Sequence, residues 1–159
     1  MSTSITQFSL PAALCTALFA GPVLADTADE ITQLIKDDNA YTLKNLKSPR
    51  GGIPKAGSHQ FWSSGGLLHH IPADVPDAEF ESFGLQPKHI EVITLEEGKY
   101  AVAMYYSEGS FHPKGSEKVS HYFTRVTEVY IKEDGNWKVR ASHYSPVTGG
   151  SGTSQTTVD

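Results

Sequence analysis

The sequence is poor in cysteine, and Cys15 is the only one in 159 residues. It lies in an apolar N-terminal run, so a chain cleaved after residue 25 contains no thiol. Disulfides, thiol catalysis and thiolate metal sites are thereby excluded from the mature chain. The sequence also has no zinc-type spacing of cysteine and histidine, no glycine-rich phosphate loop and no dinucleotide fingerprint. We therefore predict no cofactor and no metal site.

Positive charge is also scarce. Lysine and arginine total 13, against 18 aspartates and glutamates, and the formal net charge is -5. No basic stripe is available to displace counterions from phosphates, which argues against a nucleic-acid partner. The hydrophobic share of 38% and the charged share of 19% are ordinary for a globular protein, and the length predicts one domain.

The one long apolar run lies in residues 1–25 and contains FSLPAALCTALFAGPVLA. It is uncharged and ends in Val-Leu-Ala, with small residues where signal peptidase reads, so it resembles a secretory signal peptide cleaved before Asp26. The alternative is a membrane anchor, which the short length and the interrupting prolines and glycine disfavour. The sequence thus predicts a periplasmic or secreted protein with no stable membrane association after cleavage.

Residues 26–147 predict one α+β domain. Apolar residues recur at helical intervals over 26–47, and acidic residues crowd the start of that segment, where the helix dipole favours them. Two strand pairs then surround the turns Glu96–Gly98 and Glu133–Gly135. The composition of residues 148–159 predicts a flexible C-terminal tail.

The second turn, Glu133-Asp134-Gly135, sets the pairing of the last two strands. We expect a three-residue connection, with a type I turn followed by a left-handed glycine. This register pairs Arg125 with His143 and directs both to the inward face of the sheet. A two-residue connection would separate apolar from polar residues less cleanly. The expected apolar floor beside the pair consists of Val129, Ile131, Trp137 and Val139.

Arg125 and His143 form the predicted site. His143 is the candidate general base, because histidine titrates near neutrality. Arg125 would favour the neutral imidazole and can hold an anionic carboxylate or enolate oxygen. The alternative is that both residues are structural and have partners within the fold. The predicted substrate-binding residues are His121, Tyr41, Tyr106, Ser145 and Trp137.

The segment TRVTEVYIKEDGNWKVRASHYS resembles the closing hairpin of SnoaL-like domains in the nuclear transport factor 2-like superfamily, which includes ketosteroid isomerases. It is also similar to the association domain of calcium/calmodulin-dependent protein kinase II. The resemblance implies a cone-shaped curved antiparallel sheet packed on N-terminal helices, a ligand cavity at the wide end and homodimers formed through the sheet. The matching residues are Arg125, Thr127, Gly135, Trp137, His143 and Ser145.

Two functions are compatible with this resemblance, which specifies the fold better than the activity. The first is an exported pocket protein that acts as an isomerase, dehydratase or cyclase on a small apolar carbonyl compound. The second is a non-catalytic module for ligand binding or oligomeric assembly. The aspartate base that ketosteroid isomerases use is missing from the strand positions assigned to the inward face.

Overall fold

The structure is a computed structural model that describes residues 26–147 and Gly149. The predicted signal peptide and the rest of the predicted tail lie outside the described residues. One helix, α1, is followed by seven strands in the described part of the chain. The elements are α1 (Thr27–Asn45), β1 (Ser58–Phe61), β2 (His69–Ile71), β3 (Phe80–Phe83), β4 (Gln86–Glu96), β5 (Tyr100–Pro113), β6 (Val119–Glu133) and β7 (Asn136–Pro146).

The seven strands form one curved, unclosed sheet in the order β2-β1-β7-β6-β5-β3, and β4 also pairs with β5. The α+β prediction is confirmed, with two differences. The sheet is mixed rather than antiparallel, because β1 runs parallel to β7 and covers what would otherwise be an open edge. The packing layer is one helix within the described residues, not several.

Helix α1 is fixed at its N-terminus. The Asp26 side chain accepts a hydrogen bond from the backbone N–H of Asp29 at 2.8 Å, as an N-cap residue does. The backbone N–H and the hydroxyl of Thr27 both donate to Oε1 of Glu97, at 2.7 and 2.6 Å. A carboxylate from the β4–β5 turn therefore lies at the positive end of the helix dipole and holds α1 against the sheet.

Two apolar clusters lie on the face of the sheet that α1 covers, which we call the inner face. In the first, Ile31 and Ile35 of α1 pack on Ala101, Ala103 and Tyr130. The small alanine side chains let the helix come close to β5. The second cluster comprises Phe111, Val119 and Tyr122, with Phe80, Phe83 and Leu85 packed against it.

The β6–β7 connection differs from the prediction. Glu133 pairs with Asn136, so the turn has two residues, Asp134 and Gly135. Both have positive φ, 53° and 79°, which is the type I′ geometry whose twist matches that of paired strands. The three-residue prediction was wrong because it gave weight to the segregation of side chains and too little to the Asp-Gly dipeptide.

A bulge then shifts the register again, because Val129 pairs with Ala141 while Tyr130 pairs with Val139. Arg140 is the extra residue, and its Nη1 donates to the carbonyl oxygen of Gly57 at 3.1 Å. The two shifts together carry β7 two residues from the predicted register. Beyond the bulge, therefore, the same residues of β6 and β7 share a face as in the predicted register.

The predicted apolar floor is divided by these shifts. Trp137 and Val139 pack with the inner cluster. Val129 and Ile131 alternate with the buried inner residues of β6 and so belong to the opposite, outer face.

The β3–β4 edge bends where two glycines meet. Strands β3 and β4 follow one another along β5, and Gly84 N–H donates to the carbonyl oxygen of Ser110 at 2.9 Å across the bend. Gly109 lies opposite with φ of 143°. A Cβ on Gly109 would stand 2.2 Å from the carbonyl oxygen of Gly84, so no larger residue fits. The bend directs Phe83 and Leu85 into the cavity walls described below.

We expect Gly109→Ala to lower the free energy of unfolding by at least about 2 kcal/mol, through backbone overlap and unfavourable φ. Urea denaturation of both proteins measures the difference. Gly52→Ala is the matched control, because a Cβ at Gly52 meets nothing within 4 Å. An equal effect of the two substitutions would contradict this account of the bend.

Candidate functional site

A cavity of about 280 Å³, here called the inner cavity, lies between α1 and the inner face of the sheet. Helix α1 contributes one side of it, and strands β5, β6 and β7 contribute the other. Residues of both apolar clusters contribute to its wall. The cavity therefore occupies the part of the space beneath α1 that the two clusters leave unfilled. The lining residues are Ile35, Asp38, Asn39, Thr42, Phe83, Leu85, Pro87, Tyr105, Ser107, Glu128, Tyr130, Val139 and Tyr144.

The polar centre of the inner cavity is the carboxylate of Glu128, which is 6% exposed. Its Oε2 accepts hydrogen bonds from the hydroxyls of Tyr130 at 2.7 Å and Tyr105 at 3.1 Å. Its Oε1 accepts from the hydroxyl of Tyr144 at 2.8 Å. Three neutral donors from three adjacent strands thus hold one negative charge beneath α1.

These tyrosines are held in the donating form. Burial raises the pKa of Tyr105, Tyr130 and Tyr144 well above the usual value, and the charge of Glu128 raises each further. Each hydroxyl therefore keeps its proton and directs it at the carboxylate.

A second carboxyl group, Asp38, enters the inner cavity from α1. Burial raises its pKa from 3.8 to about 6, and the charges of Glu128 and Asp37 add to the shift. Within the described residues, the Asp38 carboxylate forms no ion pair and accepts no hydrogen bond. Among the described residues, the inner cavity thus holds one carboxylate that accepts three hydrogen bonds and one that accepts none.

A larger and mostly apolar cavity of about 490 Å³, here called the apolar cavity, adjoins the inner cavity. The two share Phe83, Leu85 and Tyr144 as walls. The residues that line only the apolar cavity are Gln60, Trp62, Ser63, Phe80, Phe111, Pro113, Ser116, Glu117, Val119 and Tyr122.

Arg125 and His143 lie elsewhere. Both are exposed, and both belong to the outer face, because they pair with Ser145 and Thr127 respectively. Arg125 Nη2 donates to the carbonyl oxygen of Pro146 at 3.2 Å, and the His143 ring meets the edge of Phe61 at 5.6 Å between centroids. They share a face, as predicted, but it is the face opposite α1, and their placement in an enclosed pocket was wrong.

The other five predicted residues also lie outside the two cavities. Tyr106 and Ser145 flank Arg125 on the outer face, and His121 is an exposed residue of β6. Tyr41 is 45% exposed on α1. Trp137 is half-buried on the inner side, but it lines a surface groove of about 730 Å³ instead.

Trp137 has a structural role in that groove. Its Nε1 donates to Oε2 of Glu30 at 2.6 Å, and Nζ of Lys132 contacts the same oxygen at 2.7 Å. The hydrogen bond from Lys132 is the largest cause that lowers the pKa of Glu30, and the bond from Trp137 follows. The three side chains join α1 to the β6–β7 turn.

Sequence reasoning missed Asp38, Glu128 and the three tyrosines. One signal was available: Asp134-Gly135 is a strong two-residue hairpin dipeptide, and that turn places Glu128 and Tyr130 on the inner face. A second signal was helical spacing, because Asp38 lies seven residues after Ile31 and three after Ile35 and so falls on the apolar face of the predicted helix, whereas Asp37 does not.

The described residues contain no group of three or more histidine, cysteine, aspartate or glutamate side chains arranged to hold a metal ion. Their one helix is not apolar enough over its length to span a membrane.

We expect Asp38→Asn to change how stability depends on pH. Asp38 keeps its proton up to about pH 6 in the folded protein and loses it near 3.8 when unfolded. The folded state therefore binds more protons between these values, and the contribution of Asp38 to stability falls as pH rises from about 4 to about 6. The variant lacks this loss. Its free energy of unfolding should therefore exceed that of the unmodified protein by about 1 kcal/mol at pH 7, after allowance for the partial exposure of Asp38.

Denaturant unfolding at pH 4, 5, 6 and 7 measures this difference, which should vanish near pH 4. Asp37→Asn is the matched control, because it makes the same chemical change at an exposed position. It should keep most of the pH dependence, since the charge of Asp37 is the smallest of the three causes that raise the pKa of Asp38. Parallel stability curves for Asp38→Asn and the unmodified protein would refute the assignment.

No protein-family model and no curated protein matches the sequence. Solved structures do match. An NTF2-like (nuclear transport factor 2-like) protein of unknown function from Pseudomonas putida KT2440 is 15% identical, over 81% of this chain and 94% of that one, with a TM-score of 0.51. A candidate calcium/calmodulin-dependent kinase II association domain from Exiguobacterium sibiricum 255-15 is 14% identical, over 74% of this chain and 90% of that one, with a TM-score of 0.48. At such identities the likeness concerns architecture, and the chain has a nuclear transport factor 2-like fold.

Proposed function

We propose that this chain binds a small molecule in the two adjoining cavities of its inner face. The observation that carries the proposal is the meeting of a polar cavity and an apolar one along a shared wall of Phe83, Leu85 and Tyr144. Their volumes, about 280 and 490 Å³, are of the size that small-molecule sites occupy. Such sites combine a mostly apolar lining with a few converging polar groups.

Binding is favoured over isomerase, dehydratase or cyclase chemistry on an apolar carbonyl compound. That chemistry needs hydrogen-bond donors free to stabilise a developing oxyanion. The hydroxyls of Tyr105, Tyr130 and Tyr144 already donate to Glu128. Arg125 is exposed on the opposite face of the sheet.

Proton transfer by Asp38 is the second candidate function. Its pKa of about 6 is close to neutrality, and a general acid or base works best when its pKa is near the working pH. In this alternative Asp38, rather than His143, would move a proton on a ligand held in the inner cavity. The amide hydrogens of Asn39 and the hydroxyl of Ser107, which line the same cavity, are among the donors available to a substrate oxygen.

We further propose a homodimer through the outer face of the sheet. This face carries an apolar patch of Ile93, Tyr100, Met104 and Tyr106, each between 38% and 49% exposed. Exposed apolar groups on a broad, contiguous sheet surface favour association with a partner. Export through residues 1–25 remains a prediction from the sequence.

We expect the purified chain to bind members of a panel of small, partly apolar molecules. Leu85→Trp should weaken that binding at least tenfold, because the larger ring fills a wall common to both cavities. Native mass spectrometry detects the bound species, and titration calorimetry gives the affinity. Leu67→Trp is the matched control at a 71% exposed position.

Equal binding by both variants, or none by the unmodified protein, would contradict the binding function. A ligand whose mass changes on incubation, with the change abolished in Asp38→Asn, would favour the second candidate instead.

We expect the unmodified chain to sediment as a dimer and Met104→Asp to shift it toward monomer, because a charge at the centre of an apolar interface is left unpaired. Analytical ultracentrifugation over a concentration series measures this shift. Leu67→Asp places the same charge at an exposed apolar position outside the patch and should leave the dimer intact. A monomeric unmodified chain at high concentration would disprove the interface.

A further inference from the structure

We propose that the ligand of the joined cavities is an organic amine, with its protonated head in the inner cavity and an aromatic or aliphatic body in the apolar cavity. This proposal rests on the binding function and adds the chemical class of the ligand. It depends on three observations: the acidic side chains that line the cavities, the lack of a hydrogen-bond or ion-pair partner for the Asp38 carboxylate among the described residues, and the aromatic lining of the apolar cavity.

The charged side chains that line the two cavities are all acidic. They are Asp38 and Glu128 in the inner cavity and Glu117 in the apolar cavity. Among the described residues, no lysine, arginine or histidine lines either one. An anionic ligand would meet repulsion without a counter-charge, whereas a cation would meet two carboxylates in a partly desolvated space.

The hydrogen bonds of Glu128 orient the carboxylate without neutralising it. Three hydroxyls occupy most of the acceptor sites that two carboxylate oxygens provide, but each donor is uncharged. Buried carboxylates are ordinarily paired with a cation, and Glu128 has no ion-pair partner in the described part of the chain. The network therefore preserves a negative charge at the cavity wall.

Asp38 supplies the direct contact in this proposal. Its carboxylate lines the inner cavity, is partly buried and has no hydrogen bond or ion pair among the described residues. An ammonium group at this position would donate to Asp38 and lie within the field of Glu128. Burial is the largest cause of the raised pKa of Asp38, and an ammonium group beside it would oppose that shift by stabilising the charged carboxylate.

The adjoining wall identifies the cation as organic. The apolar cavity is lined by aromatic rings, including Trp62, Phe80, Phe83, Phe111 and Tyr122. A bare metal ion gains nothing from such a wall, whereas an aryl or alkyl group buries apolar area there.

Three probes that share a phenyl-alkyl body test the charge requirement: 4-phenylbutylamine, 4-phenyl-1-butanol and 4-phenylbutanoate. Calorimetric titration of the unmodified chain at pH 7.5 should rank the amine at least about tenfold tighter than the alcohol, with the carboxylate weakest. This comparison uses only the unmodified chain, so it does not depend on whether a variant folds. An alcohol or carboxylate that binds as tightly as the amine would overturn the proposal.

The Asp38→Asn variant tests whether the carboxylate of Asp38 is the source of the preference for the amine. It should reduce the preference for the amine over the alcohol at least about fivefold, because it removes the contacting charge and keeps the shape, and the field of Glu128 accounts for what remains. Asp37→Asn, on the solvent side of α1, should keep the amine preference. An amine preference that survives unchanged in Asp38→Asn would overturn the site assignment.

The outcomes also separate this proposal from the binding function. Alcohol or carboxylate binding that Leu85→Trp abolishes would keep the cavities as the site and reject the amine. Failure of the chain to bind any of these probes or any panel member would reject the binding function itself.

Discussion

The inner face is organised around one buried charge, the carboxylate of Glu128. Removing such a group from water costs several kcal/mol unless its oxygens are satisfied. Each hydrogen bond to a charged group returns about 1.5–3 kcal/mol. The donors Tyr105, Tyr130 and Tyr144 come from β5, β6 and β7, so all three strands must be in register at once. A one-residue slip of β5 or β7 would carry its hydroxyl to the outer face, and a slip of β6 would carry the carboxylate itself there, away from the other two donors. The interaction that fixes the sheet therefore also builds the polar wall of the inner cavity.

Much of the architecture was predictable because it depends on local patterns. The helix over residues 26–47, found as Thr27–Asn45, and both long hairpins follow from periodicity and turn composition. Which residues of the last hairpin face α1 did not follow from these patterns. That depends on two single-residue shifts, of which one is the two-residue turn and the other is the bulge at Arg140. The turn could be inferred from its Asp-Gly dipeptide. The bulge could not, since it is stabilised by the contact of Arg140 with Gly57, which is 83 residues away in sequence.

The candidate site was less predictable than the fold for a related reason. Asp37 and Asp38 are chemically identical neighbours, and the rotation of α1 about its axis decides which of them meets the cavity. The helical spacing of Ile31 and Ile35 sets that rotation and turns Asp38 toward the sheet. The local pattern does not record that a cavity, rather than a packed side chain, lies opposite Asp38. The Arg-x-Thr and His-x-Ser pattern, by contrast, was conspicuous in sequence and belongs to the solvent-facing surface of the sheet. Motif residues of a fold can thus mark how its strands are built rather than where its ligand lies.

The distribution of charge leaves both cavities without a basic residue in the walls that the structure describes. Lys132 lies at the margin of α1 and is paired with Glu30, and Arg140 is bound to a carbonyl oxygen, so neither cation reaches the inner cavity. No cation in the described cavity walls therefore offsets the free-energy cost of burying the Asp38 carboxylate. A group whose pKa is raised by burial makes the empty protein less stable above that pKa, and any ligand that keeps the group ionised recovers the same free energy. The stability lost at neutral pH and the affinity available to a cation are therefore two expressions of one unpaired carboxylate.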